Sequence, residues 1–221
     1  DVILYTAVDG SAQHLIIPDA IKSTQDYDEG RVKHVKIALA AAMHGAGEEA
    51  ENGLAYIHAM AHHQAQTGAT FLDINVDESS LKTEEQKAAM AWLVGAVQKL
   101  SPLPISVDSS DVNVIRAGLE AYDSSKSSPI LNSASLERLE ALDMVIEHNA
   151  QVVVTAAGEK GMPAGTSERV ANASRMVDAA LEKGIAINHI HVDPLVFPIS
   201  VDKEFGLHCL GAIREIRAKY G

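Results

Sequence analysis

Short apolar runs that end in an acid or an amide, each followed by a stretch of helical character, set the rhythm of this chain. Thr70-Phe71-Leu72-Asp73-Ile74-Asn75-Val76-Asp77 is the first clear instance, and Pro104-Ile105-Ser106-Val107-Asp108 the second. Pro129-Ile130-Leu131-Asn132 and His189-Ile190-His191-Val192-Asp193 repeat it. A strand covered on both faces reads as a continuous β-branched run rather than a strict alternation, and parallel strands are of this kind. Gln151-Val152-Val153-Val154-Thr155 is a fifth such run; Val2 to Val8 is a sixth, closed by the turn pair Asp9-Gly10.

Between these runs the pattern is helical. Arg31 to Gln66 is rich in alanine and predicts two helices, separated by Gly45, Gly47 and Gly53 because a glycine inside a helix costs about 1 kcal/mol. The second ends at Thr67-Gly68. Ser79, Ser80 or Thr83 caps a helix reaching Leu100, with Glu84 and Glu85 in its first turn where the dipole favours them. Ser110 or Asp111 caps another through Tyr122. Leu136, Leu139, Leu142 and Val145 form an apolar stripe over a helix expected from Leu136 to His148. Ser167 to Lys183, stopped by Gly184, and Asp202 to Tyr220 complete the set. Ala156 to Gly165 is a glycine-rich loop, and residues 11 to 30 show no clear period.

Strand-helix alternation with continuous apolar strands points to a parallel α/β fold. Six units with polar residues at strand ends suit a (β/α)8 barrel, whose active sites lie at the C-terminal ends of the strands. Such barrels run to about 250 residues. A chain of 221 residues with six units is therefore expected to be a single barrel domain, 1–221, that lacks its last strand-helix units. A doubly wound open sheet is the runner-up, against which no G-x-G-x-x-G or Walker-type loop follows any strand.

The net charge of −12 argues against nucleic acid or an anionic membrane surface as a partner, since both require basic patches. No apolar run is long enough to span a bilayer. The single Cys209 excludes an intramolecular disulfide framework and a cysteine zinc cluster, and fits a cytosolic setting.

The candidate chemistry lies in Asp73, Asn75, Asp108, Asn132 and Asp193. Ionised Asp accepts hydrogen bonds and Asn both donates and accepts, which is the inventory needed to hold a flat heterocycle with amino and lactam groups. A carboxylate can accept two parallel N–H bonds from an aminopyrimidinone edge. Any one of these residues could instead cap the next helix; four strands ending alike favour pocket lining. His58 and His62 share a helix face at the spacing of two metal ligands, but no H-E-x-x-H phrase and no third ligand accompany them, so no metal site is expected. No Ser-His-Asp or Cys-His arrangement marks a nucleophile.

The phrases Leu72-Asp73-Ile74-Asn75-Val76, Val107-Asp108-Ser109-Ser110, Ile130-Leu131-Asn132-Ser133 and Val192-Asp193-Pro194-Leu195-Val196-Phe197-Pro198 resemble the pterin-binding methyltransferase family. It includes the methyltetrahydrofolate:corrinoid/iron–sulfur protein methyltransferases and the folate domain of cobalamin-dependent methionine synthase. Glu137 to Ala157 and Gly161-Met162-Pro163 are also similar to this group. The resemblance implies a pterin-type (β/α)8 barrel, usually a homodimer, that binds methyltetrahydrofolate and passes its N5 methyl to the Co(I) corrinoid (cobalamin) of a partner protein. It also implies that Asp108, Asn132 and Asp193 contact the pterin, with Asp73 and Asn75 on the pocket wall.

Two departures stand out. Ala7-Val8-Asp9-Gly10 occupies the place of the family's G-E-R-x-N phrase without its Glu or Arg, and the family's G-x-S-N phrase, whose Asn is expected to bond N5, would fall beyond Gly221. No catalytic residue is therefore assigned within the chain. Dihydropteroate synthase is one alternative, although Asp73 to Ser80 lacks that enzyme's G-G-E-S-T-R-P phrase. A non-catalytic pterin-binding or corrinoid-partner docking fragment is the other.

Overall fold

Five of the six expected strands form parallel ladders, and the first does not. The computed structural model describes residues 1–221, which divide by their contacts into Asp1–Ser125 and Lys126–Gly221.

In the first unit, β1 (Val2–Thr6) turns back on β2 (Ala12–Ile16) in an antiparallel hairpin. Gly10 takes the left-handed φ of +85° in its turn, and the Asp9 carboxylate receives the Ser11 amide at 2.9 Å. The stretch from 11 to 30 thus holds structure that its composition did not announce. Gln13 and Leu15 face inward between exposed neighbours, so β2 does alternate, but over five residues only. Two single-turn helices follow, α1 (Asp19–Lys22) and α2 (Gln25–Asp28). The helices α3 (His34–His44) and α4 (Glu48–Gln66) break at Gly45 and Gly47, not at Gly53. Gly53 lies inside α4, where a Cβ would stand 2.5 Å from the Ala42 nitrogen and 2.7 Å from the Ala38 oxygen; its missing side chain lets the two helices close.

The parallel pair β3 (Leu72–Asn75) and β4 (Ile105–Asp108) runs in register, Leu72 beside Ile105 and Asn75 beside Asp108. Between them comes α5 (Thr83–Leu100), which packs on both strands; α6 (Val112–Ala121) covers β4 and α5. Ile105, Val107, Met90, Val94, Val114 and Ile115 are sealed from solvent in this layer. Asp111 caps α6 as expected, accepting from the Asn113 amide at 2.8 Å. No serine or threonine caps α5: Lys82 holds that position without a side-chain capping bond.

In the second unit, β5 (Ile130–Ala134), β6 (Gln151–Thr155) and β7 (Ile190–Asp193) are parallel, with β6 in the middle. The helix expected from Leu136 begins only at Ala141, as α7 (Ala141–Glu147). The residues before it form turns, in which Leu136 is buried without a helical backbone and Leu139 stays exposed. Then come α8 (Thr166–Glu182) and α9 (Glu204–Tyr220), which pack on each other around Ala173, Ala212 and Ile216.

Candidate functional site

Strand β3 is a four-residue alternation of two buried and two exposed side chains, so its Asp73 and Asn75 point the same way, away from the core that holds Leu72 and Ile74. Asn75 ends the strand opposite Asp108, and the amide Nδ2 donates to the Asp108 carboxylate at 2.9 Å. Asn75 Oδ1 accepts the Asp77 N–H at 2.8 Å, which folds the chain sharply over the strand end. Asp77 then bonds the start of the β4–α6 loop: Ser109 Oγ donates to it at 2.5 Å and the Ser110 N–H at 2.9 Å. Burial pushes the Asp77 carboxyl up, but the Ser109 and Ser110 donors and Asn75 outweigh that, and its pKa lies below the ordinary 3.8. Ser109 in turn accepts the Asp111 N–H at 3.1 Å. The ends of β3 and β4 are one connected polar network.

Two clefts meet at Asn75. One of about 500 Å³ is lined by Phe71, Leu72, Asp73, Ile74 and Asn75 along β3, with apolar residues of α3, α4 and α5 opposite. The other, about 400 Å³, is lined by Arg31, Lys33, Lys36, Asn75 and Glu78 among others. Two of its three Lys and Arg residues are partnered: Arg31 pairs with Asp26 and Glu29, and Lys33 with Asp26 and Glu78.

In the second unit, Asn132 is half-buried in β5 beside Val153 of β6, and Asp193 ends β7 beside Thr155 of the same strand. Asp193 thus stands at the C-terminal end of its strand, and Asn132 in the middle of β5. The Asp193 carboxylate accepts the Leu195 N–H at 2.8 Å. Below it, His191 bonds Gln151 at 2.7 Å; burial, with nearby His189, lowers its pKa from 6.5. The two loops above the strands are tied by Arg169 of α8, which is fully buried and bonds the main-chain oxygens of Pro163, Gly165 and Leu195.

All five residues singled out from the sequence therefore sit on parallel strands: Asn75, Asp108 and Asp193 are the last residues of theirs, Asp73 and Asn132 lie within theirs, and one pair, Asn75 and Asp108, is in direct contact. Asp77, Ser109 and Arg169 escaped the sequence reading. Asp77 had a signal, since Asp73, Asn75 and Asp77 step by two along one strand face. Arg169 had none, as it stands among the polar residues of an amphipathic helix. His58 and His62 face each other with ring centroids 6.4 Å apart, and no group of three His, Cys, Asp or Glu residues is arranged to hold a metal ion.

Comparison with known proteins gives this arrangement a context. A family model described as pterin binding enzyme matches residues 27–221, leaving out the β1–β2 hairpin. Methionine synthase of Mycobacterium leprae (strain TN) is 29% identical over 170 residues, 71% of this chain and 14% of that protein. Methylcorrinoid:tetrahydrofolate methyltransferase of Eubacterium limosum is 25% identical over 176 residues, 77% of this chain and 62% of that one. Among solved structures, dihydropteroate synthase from Xanthomonas albilineans in complex with 7,8-dihydropteroate matches with a TM-score of 0.59 at 20% identity, over 75% of this chain and 61% of that one. The chain thus spans less than two thirds of the length of each. The structural likeness shows the fold, the (β/α)8 barrel of the pterin-binding type, of which five parallel strands are present here. By the family match over most of its length, the chain belongs to the pterin binding enzymes.

Proposed function

We propose that the chain takes part in methyl transfer between methyltetrahydrofolate and the corrinoid of a partner protein, in one direction or the other. The observation that carries this reading is the Asn75–Asp108–Asp77–Ser109 network. It offers a carboxylate and an amide held in fixed orientation at the ends of adjacent strands, the acceptor and donor types a pterin edge requires. Asn132, in the middle of β5, and Asp193, at the end of β7, are assigned to pterin recognition on the same chemical grounds, and Asp73 to the wall of the cleft beside β3. The name of one relative, methylcorrinoid:tetrahydrofolate methyltransferase, supports a methyl group as the cargo.

A methyl on a tertiary amine is a poor electrophile, because the departing nitrogen would carry negative charge. The remedy is a hydrogen bond or proton at N5 in the transition state, a task of positioning and electrostatics. The corrinoid supplies the Co(I) nucleophile from its partner protein, so no side-chain nucleophile is required in this chain. Its residues hold the ring, fix its orientation and keep water from the polar edge; no group here is assigned to N5.

The dihydropteroate synthase reading demands a seat for a pyrophosphate. The loop after β3, Val76-Asp77-Glu78-Ser79-Ser80, carries two acids and neither glycine nor arginine, and Arg31 and Lys33, two of the three Lys and Arg residues lining the cleft at Asn75, are already paired with carboxylates. The deciding experiment measures methyl transfer from methyltetrahydrofolate to a reduced corrinoid protein, with tetrahydrofolate binding measured alongside. Transfer supports the proposal; pterin binding without transfer supports a non-catalytic binding fragment; condensation of a pterin pyrophosphate with p-aminobenzoate would overturn it in favour of the synthase.

A further inference from the structure

Leu195 has a left-handed backbone, φ +61°, which a side chain with a Cβ resists because it crowds the next carbonyl. It lies two residues past Asp193, and both of its peptide groups are held. Its N–H donates to Asp193 Oδ1 at 2.8 Å, and its C=O accepts from Arg169 Nε at 3.0 Å. Arg169 is fully buried, yet none of its partners is a carboxylate. Nη1 reaches the oxygens of Pro163 and Gly165 in the β6–α8 loop, the guanidinium lies 4.8 Å over the Phe197 ring, and Nη2 is buried with no partner. A buried cation without a counter-charge is costly, and an unbonded N–H adds to that cost. What this cation does is lock two loops above β6 and β7 in one arrangement, against the backbone preference of Leu195.

We infer that Arg169 is a positioning residue: by holding the Leu195 carbonyl it maintains the left-handed turn whose amide orients the Asp193 carboxylate. This rests on the assignment of Asp193 to the pterin. The side chain of Asp193 is exposed, so without that amide it would spread over several rotamers and offer the ligand a poorly aimed acceptor.

The test uses the whole chain, Arg169→Lys, and two readouts: tetrahydrofolate affinity and amide hydrogen exchange of the segment from Asp193 to Phe197. Arg169→Lys should weaken binding by about tenfold, the scale of one charge-assisted hydrogen bond lost, and speed exchange at Leu195 while the amides of β6 stay protected. Adding Leu195→Gly, which adopts the left-handed turn without strain, should recover most of the affinity and of the protection. In an Asp193→Ala background Arg169→Lys should cost no further affinity. Should Arg169→Lys fail to fold, Phe197→Leu, which removes the ring beneath the guanidinium, is expected to act in the same direction and be rescued by the same glycine. A uniform loss of protection across the unit, or a loss of affinity that Leu195→Gly does not relieve, would overturn the inference. If the unaltered chain binds no pterin, the functional proposal fails, and the exchange measurements alone decide whether Arg169 holds the turn.

Discussion

Replacing Asp77 by asparagine tests whether the polar network at the β3–β4 end is held by charge. The two side chains have the same shape, but the amide can keep only one acceptor and turns an N–H₂ toward the other donor. In the native chain the carboxylate takes Ser109 Oγ at 2.5 Å and the Ser110 N–H at 2.9 Å. Ser109 is 2% exposed, so its hydroxyl has no water to fall back on. Each hydrogen bond to an ionised group contributes about 1.5–3 kcal/mol when buried; solvent at half-buried Asp77 reduces that, and a net loss of about 2 kcal/mol is expected at pH 7. The effect has a sign in pH. Because the native pKa of Asp77 lies below its ordinary 3.8, the stabilisation is complete above that value and is lost as the pH falls through the lower native one. Urea denaturation of both proteins should therefore show a gap at pH 7 that narrows toward pH 3, with equal slopes against denaturant. A gap of constant size would mean that shape rather than charge is responsible, and no gap at pH 7 would remove Asp77 from the network.

Asp108→Ala or Asn132→Ala should weaken tetrahydrofolate binding by about 1–3 kcal/mol in calorimetric titration, and unchanged affinity would count against their assignment. Gly53→Ala places a methyl against main-chain atoms that cannot give way, so it should lower stability by about 1–3 kcal/mol even though alanine favours helix; thermal melting reads the sign. His191 prefers its neutral form in the folded chain, with a pKa depressed below 6.5 by burial; its contribution is intact above pH 6.5 and lost as the pH falls through the native value. The melting temperature of His191→Gln should thus decline less between about pH 7 and pH 5 than that of the unaltered chain.

The strands that carry the site were legible because a buried parallel strand writes itself as a short β-branched run, and its end is marked where an acid or amide interrupts it. Ile105 and Val107 are fully buried and Asp108 is not: the change in residue type coincides with the change in environment. The hairpin was half legible. Its first strand and turn were plain, but β2 alternates over only five residues and begins beside polar Ser11, so nothing distinguished it from loop. The helix before α7 was overread because leucines at three-residue steps suggest a buried stripe, whereas Leu136 is buried in a turn and Leu139 is exposed. Arg169 was invisible for a deeper reason: a charged side chain in an amphipathic helix is normally solvated, and only the meeting of two loops over α8 buries it.

The bond from Asn75 to Asp108 means that the end of the β3–β4 ladder is engaged before any guest arrives. A ring that takes the Asp108 carboxylate exchanges one donor for another, so its affinity reflects the difference between the two. The carboxylate is already aimed, and little side-chain freedom remains to be lost on docking. A guest presenting one weak N–H gains little over the amide it displaces, whereas a charged or doubly donating edge gains a good deal. Discrimination between pteridines and plainer heterocycles would then originate in competition with the protein's own asparagine.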